Sequence, residues 1–239
     1  LKNVADANGM LLSGGYGPRP EHNLASPDSS VVENALKFYS DIFRKMEIAG
    51  IDRIGGALYS YWPVDFKGGF DKAADTERSI KNMRKLADIA ADHGITLCME
   101  SLNRFEGYMI NEAYEDVDYV KAVDKPNVKS MLDTFHMNIE EDSLVDAIRL
   151  TKGTLGAFHV GEPNRRRTKK NSRIDWYEIG RALKEIGYDE YVVMEPFVLM
   201  GGQVGKDISI WRDMSKGKTM EEFDLNAKNS VEFLREAFK

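Results

Sequence analysis

The 239-residue chain has one cysteine, Cys98, seven prolines and four histidines. A lone thiol cannot close an internal disulfide, so stability must come from a packed core, and a reducing cytoplasm is the expected compartment. No apolar run is long enough to span a bilayer, and nothing resembles a secretory leader. Positive charge is also scarce: 33 basic against 39 acidic side chains leave a formal charge of -6. Neither nucleic acid nor an anionic membrane surface is therefore expected as a partner, and a small or neutral ligand fits better. No apolar run is followed by G-x-G-x-x-G. Gly14-Gly15-Tyr16-Gly17 lacks the required spacing, which argues against an open dinucleotide-binding sheet.

What is present is enough for one sizeable core. At 42% hydrophobic and 30% charged, residues 1–239 read as one domain of about the length of an α/β barrel, ~250 residues. Short apolar runs at Met10–Ser13, Ile51–Tyr59, Ile95–Glu100, Val128–Asp133, Leu155–Val160 and Tyr191–Glu195 predict buried strands. Amphipathic helical patterns lie between them. One opens on a Ser30-to-Glu33 capping box and stops at Gly50, and a second runs from about Thr76 to His93 before Gly94. Others begin near Asn111, Asp142 and Asp175. Six strand-helix alternations predict a parallel sheet built from βα units. Eight units close a barrel, so the expectation is a (β/α)8 TIM barrel lacking about its first two βα units, or about 60 residues. The opening stretch, Leu1 to Gly9, reads as the end of a helix reaching its glycine stop, which points to residues upstream.

Four of the predicted strands end in a residue able to bind metal: Glu100, Asp133, His159 and Glu195. Barrel enzymes assemble their sites from C-terminal strand ends. Ionisable groups in apolar runs are costly unless paired or coordinated, so four of them in register favour one shared divalent cation over separate ion pairs. Three carboxylates and one imidazole suit Mn²⁺ or Mg²⁺, with Co²⁺ and Zn²⁺ as alternatives. Strand alternation places Cys98, Met131, Ala157 and Val193 one layer deeper on the same face, which makes Cys98 a core residue rather than a nucleophile. Glu106, His136 and Arg165 follow the strand ends closely enough to hold a substrate. Trp62 and Phe197 offer apolar walls. The short basic run Arg167, Lys169 and Lys170 reads as a solvated loop. His22 and His93, with no evident carboxylate partner, read as surface residues.

The strings GGALYSYWP (55–63), ESLNRFEGY (100–108), MLDTFHMNIEED (131–142), FHVGEPNRR (158–166) and VVMEPFVLMGGQVGKDI (192–208) closely resemble the D-tagatose 3-epimerase and D-psicose 3-epimerase family of xylose-isomerase-like barrels. Carried over position by position, the resemblance implies that Glu100, Asp133, His159 and Glu195 bind one divalent metal, commonly manganese. It also implies that Glu100 and Glu195 are the acid/base pair, that Glu106, His136 and Arg165 hold a ketose near O1 to O3, and that Trp62 and Phe197 make apolar contacts. Family members are typically homo-oligomers, dimers or tetramers. The implied reaction inverts C3 of a free ketose. An aldose–ketose or hydroxypyruvate-type isomerase is the alternative within the superfamily, and a metal-dependent abasic-site endonuclease is a remote one that the negative charge and few histidines disfavour.

Overall fold

The structure, a computed structural model, describes residues 1–239. Six strands, β1 (Leu12–Gly15), β2 (Ile51–Gly56), β3 (Thr96–Glu100), β4 (Val128–Asp133), β5 (Leu155–Val160) and β6 (Val192–Met194), form one sheet in sequential order. Every pairing is parallel. The sheet curls into the greater part of a TIM barrel with β1 and β6 at its edges. Nine helices connect or flank the strands: α1 (Lys2–Ala7), α2 (Ser29–Ala49), α3 (Lys72–Ala91), α4 (Ala113–Val123), α5 (Thr134–Glu140), α6 (Leu144–Leu150), α7 (Trp176–Glu185), α8 (Gly202–Asp207) and α9 (Met220–Ala237). None is long and apolar enough to cross a membrane.

Strand existence follows the apolar runs, and β4 and β5 coincide with them; the differences lie at the ends. β1 starts two residues later than expected. β2 stops at Gly56 rather than Tyr59 because Gly56 adopts φ +131° and lies so close to the Tyr16 backbone that a Cβ there would sit 2.3 Å from its carbonyl oxygen. Helix starts shift for a similar local reason. The first long helix is capped by Asp28, whose carboxylate accepts from the Ser30 N–H at 2.8 Å, so the Ser30–Glu33 box does not form. Asp71 caps α3 four residues earlier than the sequence pattern suggests.

Side chains alternate across the sheet, one set facing the helices and the other the barrel interior. Leu97 and Met99 join a 24-residue cluster beneath α2, α3 and α4, while Leu132, Phe158 and Val160 join a 15-residue cluster with residues of α6, α7 and α9. Cys98, Met131 and Ala157 form a third cluster of their own, the expected interior layer. Burial pushes the Cys98 thiol up to about 12, which keeps it inert. Val193 departs from that expectation: on the short edge strand β6 it is only half-buried and lies outside the cluster.

Three surface expectations also need correction. His22 is buried, stacks 3.8 Å from the Phe38 ring and shares a 2.7 Å hydrogen bond with the Tyr16 hydroxyl. His93 is paired with Glu47 at 2.7 Å, a partner 46 residues away in sequence. Arg167 is half-buried and donates to Ser230 of α9 at 3.0 Å, whereas Lys169 and Lys170 are exposed.

The outer layer closes where α7 crosses α9. Gly180 lies so close to that crossing that a Cβ would stand 2.3 Å from the Ala237 carbonyl oxygen and 2.9 Å from the Phe238 Cα. Backbone cannot yield as a flexible side chain can, so Gly180→Ala should destabilise by about 1–3 kcal/mol despite alanine's better helix propensity. Denaturant unfolding would measure it, and an unchanged or raised midpoint would contradict the packing described.

Candidate metal centre and sugar-sized cavity

The four strand-end residues converge. One ligand atom from each of Glu100, Asp133, His159 and Glu195 lies within 4.8 Å of the others. They are not level along the sheet, as four residues in register would be. Asp133 pairs with His159, but Glu100 pairs with Met131 and His159 with Val193, so Glu100 and Glu195 are each offset by two residues. Barrel strands tilt and stagger, and that shear brings residues at different ladder positions to one height at the mouth.

Local structure explains why each group points inward. Asp133 ends β4 and caps α5: its Oδ1 accepts from the Phe135 N–H at 2.8 Å, which leaves Oδ2 buried with no hydrogen-bond partner. His159 Nδ1 is likewise buried and unpartnered. The Glu100 backbone carbonyl is held by the Tyr59 hydroxyl at 2.9 Å. Two unsatisfied atoms inside one cluster of three carboxylates and an imidazole suit a divalent cation, since buried polar atoms are otherwise nearly always paired.

The electrostatics agree. Burial, reinforced by the neighbouring Glu195, pushes Glu100 up to about 8. Burial opposes charge on His159 too, yet Glu195, Glu100 and Asp133 together hold its imidazolium above the usual range. Glu195 resists burial through His159 and Arg165 and stays below its ordinary value. Glu100 and His159 thus favour their protonated forms, which limits repulsion among the carboxylates.

Above the cluster lies a cavity of about 370 Å³, within the range of small-molecule sites, about 300–1,000 Å³. Of the residues singled out from sequence, Trp62, Glu100, Glu106, His136, His159, Arg165, Glu195 and Phe197 all line it; Asp133 is buried with the metal-binding group. Arg165, from the segment after β5, is buried in the cavity wall. Its Nη2 donates to Glu106 at 2.9 Å and its Nη1 to Glu195 at 3.3 Å, while its guanidinium carbon lies 3.7 Å from the centre of the Phe135 ring and 5.3 Å from that of Phe197. A φ of +59° bends its backbone to reach this position. His136 sits on α5 with Nε2 3.7 Å from Glu100, and burial lowers it to about 3, so the ring is neutral.

Some lining residues had no sequence signal. Tyr16 and Gly17 come from the glycine string that fails as a dinucleotide fingerprint; Gly17 is needed because a Cβ there would meet the Trp62 ring at 2.6 Å. Val204 and Ile208, from α8 and its end, close another side. Asn103, adjacent to the cavity, touches both His136 and Glu106. The spacing of N-R-F-E could have suggested a short turn, but not its partner 33 residues away.

Comparison with known proteins follows the geometry. The family model described as xylose isomerase-like TIM barrel matches residues 1–214. The D-psicose 3-epimerase of Ruminiclostridium cellulolyticum is 50% identical over 235 residues, 98% of this chain and 80% of that protein. That of Agrobacterium fabrum is 47% identical, over 98% of this chain and 81% of its own length. A crystal structure of D-psicose 3-epimerase with D-tagatose from Clostridium cellulolyticum H10 superposes with a TM-score of 0.97 at 49% identity, covering all of this chain and 82% of that one.

The raised Glu100 has a measurable consequence. Because Glu100 is raised to about 8, it holds a proton at neutral pH that a cation must displace. Affinity for Mn²⁺ should rise by about tenfold or more per pH unit at pH values where Glu100 and His159 both hold protons, and flatten above pH 8. Titration calorimetry at pH 7 in buffers of different ionisation enthalpy should count more than one proton released per ion, because the raised Glu100 and His159 must both be deprotonated to ligate. An affinity flat between pH 6 and 8 would contradict this.

Proposed function

The chain belongs to the xylose isomerase-like TIM barrel family, and from that premise we propose that it is a metal-dependent ketose 3-epimerase acting on free ketoses, with D-psicose/D-fructose and D-tagatose/D-sorbose as representative pairs. It is an enzyme of the isomerase class. The observation that supports the finer reading is that two carboxylates, Glu100 at the end of β3 and Glu195 just after β6, line one cavity from strands three apart in the sheet, with Asp133 and His159 on the two strands between. Inversion at a carbon next to a carbonyl requires a base on one face and an acid on the other.

Glu100, Asp133, His159 and Glu195 would hold the cation, for which Mn²⁺ is the expected ion, with Mg²⁺ or Co²⁺ as alternatives. When bound, it supplies Lewis acidity that stabilises negative charge developing on the ketose oxygens. The remaining work falls to the chain. Arg165, His136 and Glu106 hold the oxygens around O1 to O3, and Trp62 and Phe197 flank the apolar face of the sugar. One glutamate removes the C3 proton, giving a planar cis-enediolate; the other returns a proton to the opposite face. The carbonyl stays at C2, which separates this reaction from aldose–ketose isomerisation. A reducing cytoplasm and a homo-oligomeric state, dimer or tetramer, complete the reading.

Removing one ligand leaves the other carboxylates repelling one another without compensation. Asp133→Ala and His159→Ala should therefore lose both bound metal and turnover. Glu100→Gln and Glu195→Gln retain an amide oxygen that can coordinate, so they should keep some metal while losing about 10²–10⁴ in rate. Elemental analysis beside turnover tests this, and full occupancy with unchanged turnover in either alanine variant would contradict the four-ligand site.

Epimerisation in D₂O should place deuterium at C3 of the product and none at C1. Label at C1 together with aldose formation, read by NMR, would overturn the epimerase reading in favour of carbonyl migration.

A further inference from the structure

We propose that Asn103 is a positioning residue that selects the tautomer of His136 and, through the same amide, sets the orientation of Glu106 and Arg165. The inference rests on the reading of the cavity as a sugar site.

Asn103 is buried in the turn after β3. Its backbone N–H donates to His136 Nδ1 at 3.1 Å and its side-chain Nδ2 approaches the same nitrogen at 2.7 Å. A backbone N–H can only donate, so Nδ1 must carry a lone pair and the ring proton must reside on Nε2. That N–H stands 3.7 Å from Glu100 Oε1, too far for a hydrogen bond, and is free to donate to an oxygen in the cavity. The second Nδ2 proton goes to Glu106 Oε1 at 3.1 Å, the same oxygen that receives Arg165 Nη2 at 2.9 Å. Asn103 Oδ1 accepts from the Phe105 N–H at 3.0 Å, which fixes which end of the amide is the donor. The turn is clamped to the helix bearing His136, because the Arg104 backbone N–H and guanidinium both donate to Glu140 at 2.7 and 2.6 Å.

One amide therefore coordinates three groups that would contact substrate. Asn103→Asp keeps the shape and the backbone donor but replaces the closer side-chain donor with a carboxylate, a charged acceptor that outcompetes the backbone N–H for Nδ1, favours a proton there and repels Glu106. Asn103→Ser keeps a hydroxyl donor on a shorter arm.

The test is ¹⁵N NMR of the imidazoles in metal-free protein, with the His136 signals assigned by their loss in His136→Gln, read beside ketose turnover of the Mn²⁺-loaded protein. Wild type should show Nδ1 unprotonated and Nε2 protonated. Asn103→Asp should move the proton to Nδ1 and lower kcat by about tenfold or more, the scale for a partner that orients a working group. Asn103→Ser should keep the wild-type tautomer and recover part of kcat, and it carries the comparison if Asn103→Asp fails to fold. A wild-type ring protonated at Nδ1 would overturn the proposal, as would an Asn103→Asp variant with unchanged tautomer and kcat. The spectra report on Asn103 even where no ketose is turned over, so failure of the substrate reading is seen separately.

Discussion

Three carboxylates and an imidazole brought within 4.8 Å of one another at the end of a buried sheet are the constraint on which the rest of this structure depends. Like charges at that separation in a poorly solvated setting strongly oppose one another. Arg165 is the cation nearest the group, 3.3 Å from Glu195 and 3.8 Å from Asp133, and one guanidinium cannot balance three carboxylates. Burial and repulsion from Glu195 favour a protonated Glu100, and the surrounding carboxylates favour a protonated His159, which offsets part of the remainder. A divalent cation would satisfy the same excess charge and the two orphaned atoms at once, which is why the proposed metal explains more of the geometry than separate ion pairs do.

Holding such a cluster together requires strand ends that cannot drift apart, and the layer behind them provides this. Asp116, fully buried on α4, accepts from the Met131 N–H at 3.2 Å and from the Ser101 hydroxyl at 3.3 Å, bridging β4 to the residue after Glu100. Thr134, next to Asp133, exchanges two hydrogen bonds with the backbone of Gly161 at 2.8 and 2.9 Å, bridging β4 to β5. Buried hydrogen bonds of this kind specify geometry more sharply than apolar contacts, and Asp116 places a single oxygen, Oδ2, between both donors. Asp133 shows the economy of the arrangement: one oxygen starts the helix that carries His136, and the other faces the cluster.

The fold was legible because burial and periodicity dominate it. Six apolar runs became six parallel strands, and the alternation that placed Cys98, Met131 and Ala157 in one layer depends only on the period of a strand. What failed was set by contacts distant in sequence or by atoms finer than residue type. The histidines at 22 and 93 could not be placed, since Tyr16, Phe38 and Glu47 are brought to them only by packing. Val193 fell outside its layer because an edge strand lacks a neighbour to cover it. Cap positions at Asp28 and Asp71 beat later candidates through hydrogen bonds that composition does not rank. In the site, ligand-bearing strand ends stood out as ionisable groups in apolar runs, whereas Asn103, a neutral residue in a polar loop, did not.

The two glutamates of the proposed acid/base pair reach the cavity by different means, and the difference bears on how each is kept in place. Glu100 ends a central strand with paired neighbours on both sides, and Tyr59 fixes its carbonyl. Glu195 follows a three-residue edge strand and is more exposed, 34% of its side chain against 13% for Glu100. Its backbone is fixed by the end of β5 and the loop beyond it: the Glu195 N–H donates to the Val160 carbonyl at 3.2 Å, and two residues later the Phe197 N–H donates to the Arg165 carbonyl at 2.8 Å. The same arginine that would grip the substrate thus holds the segment bearing one base, through its backbone, and contacts that base through its guanidinium. Sheet order suffices to place Glu100, while the placement of Glu195 depends on the conformation of a loop in which Arg165 takes a left-handed backbone angle. In the proposed reaction Arg165 would therefore couple ketose binding to placement of the second proton-transfer group, so that both faces could be assembled around the same carbon.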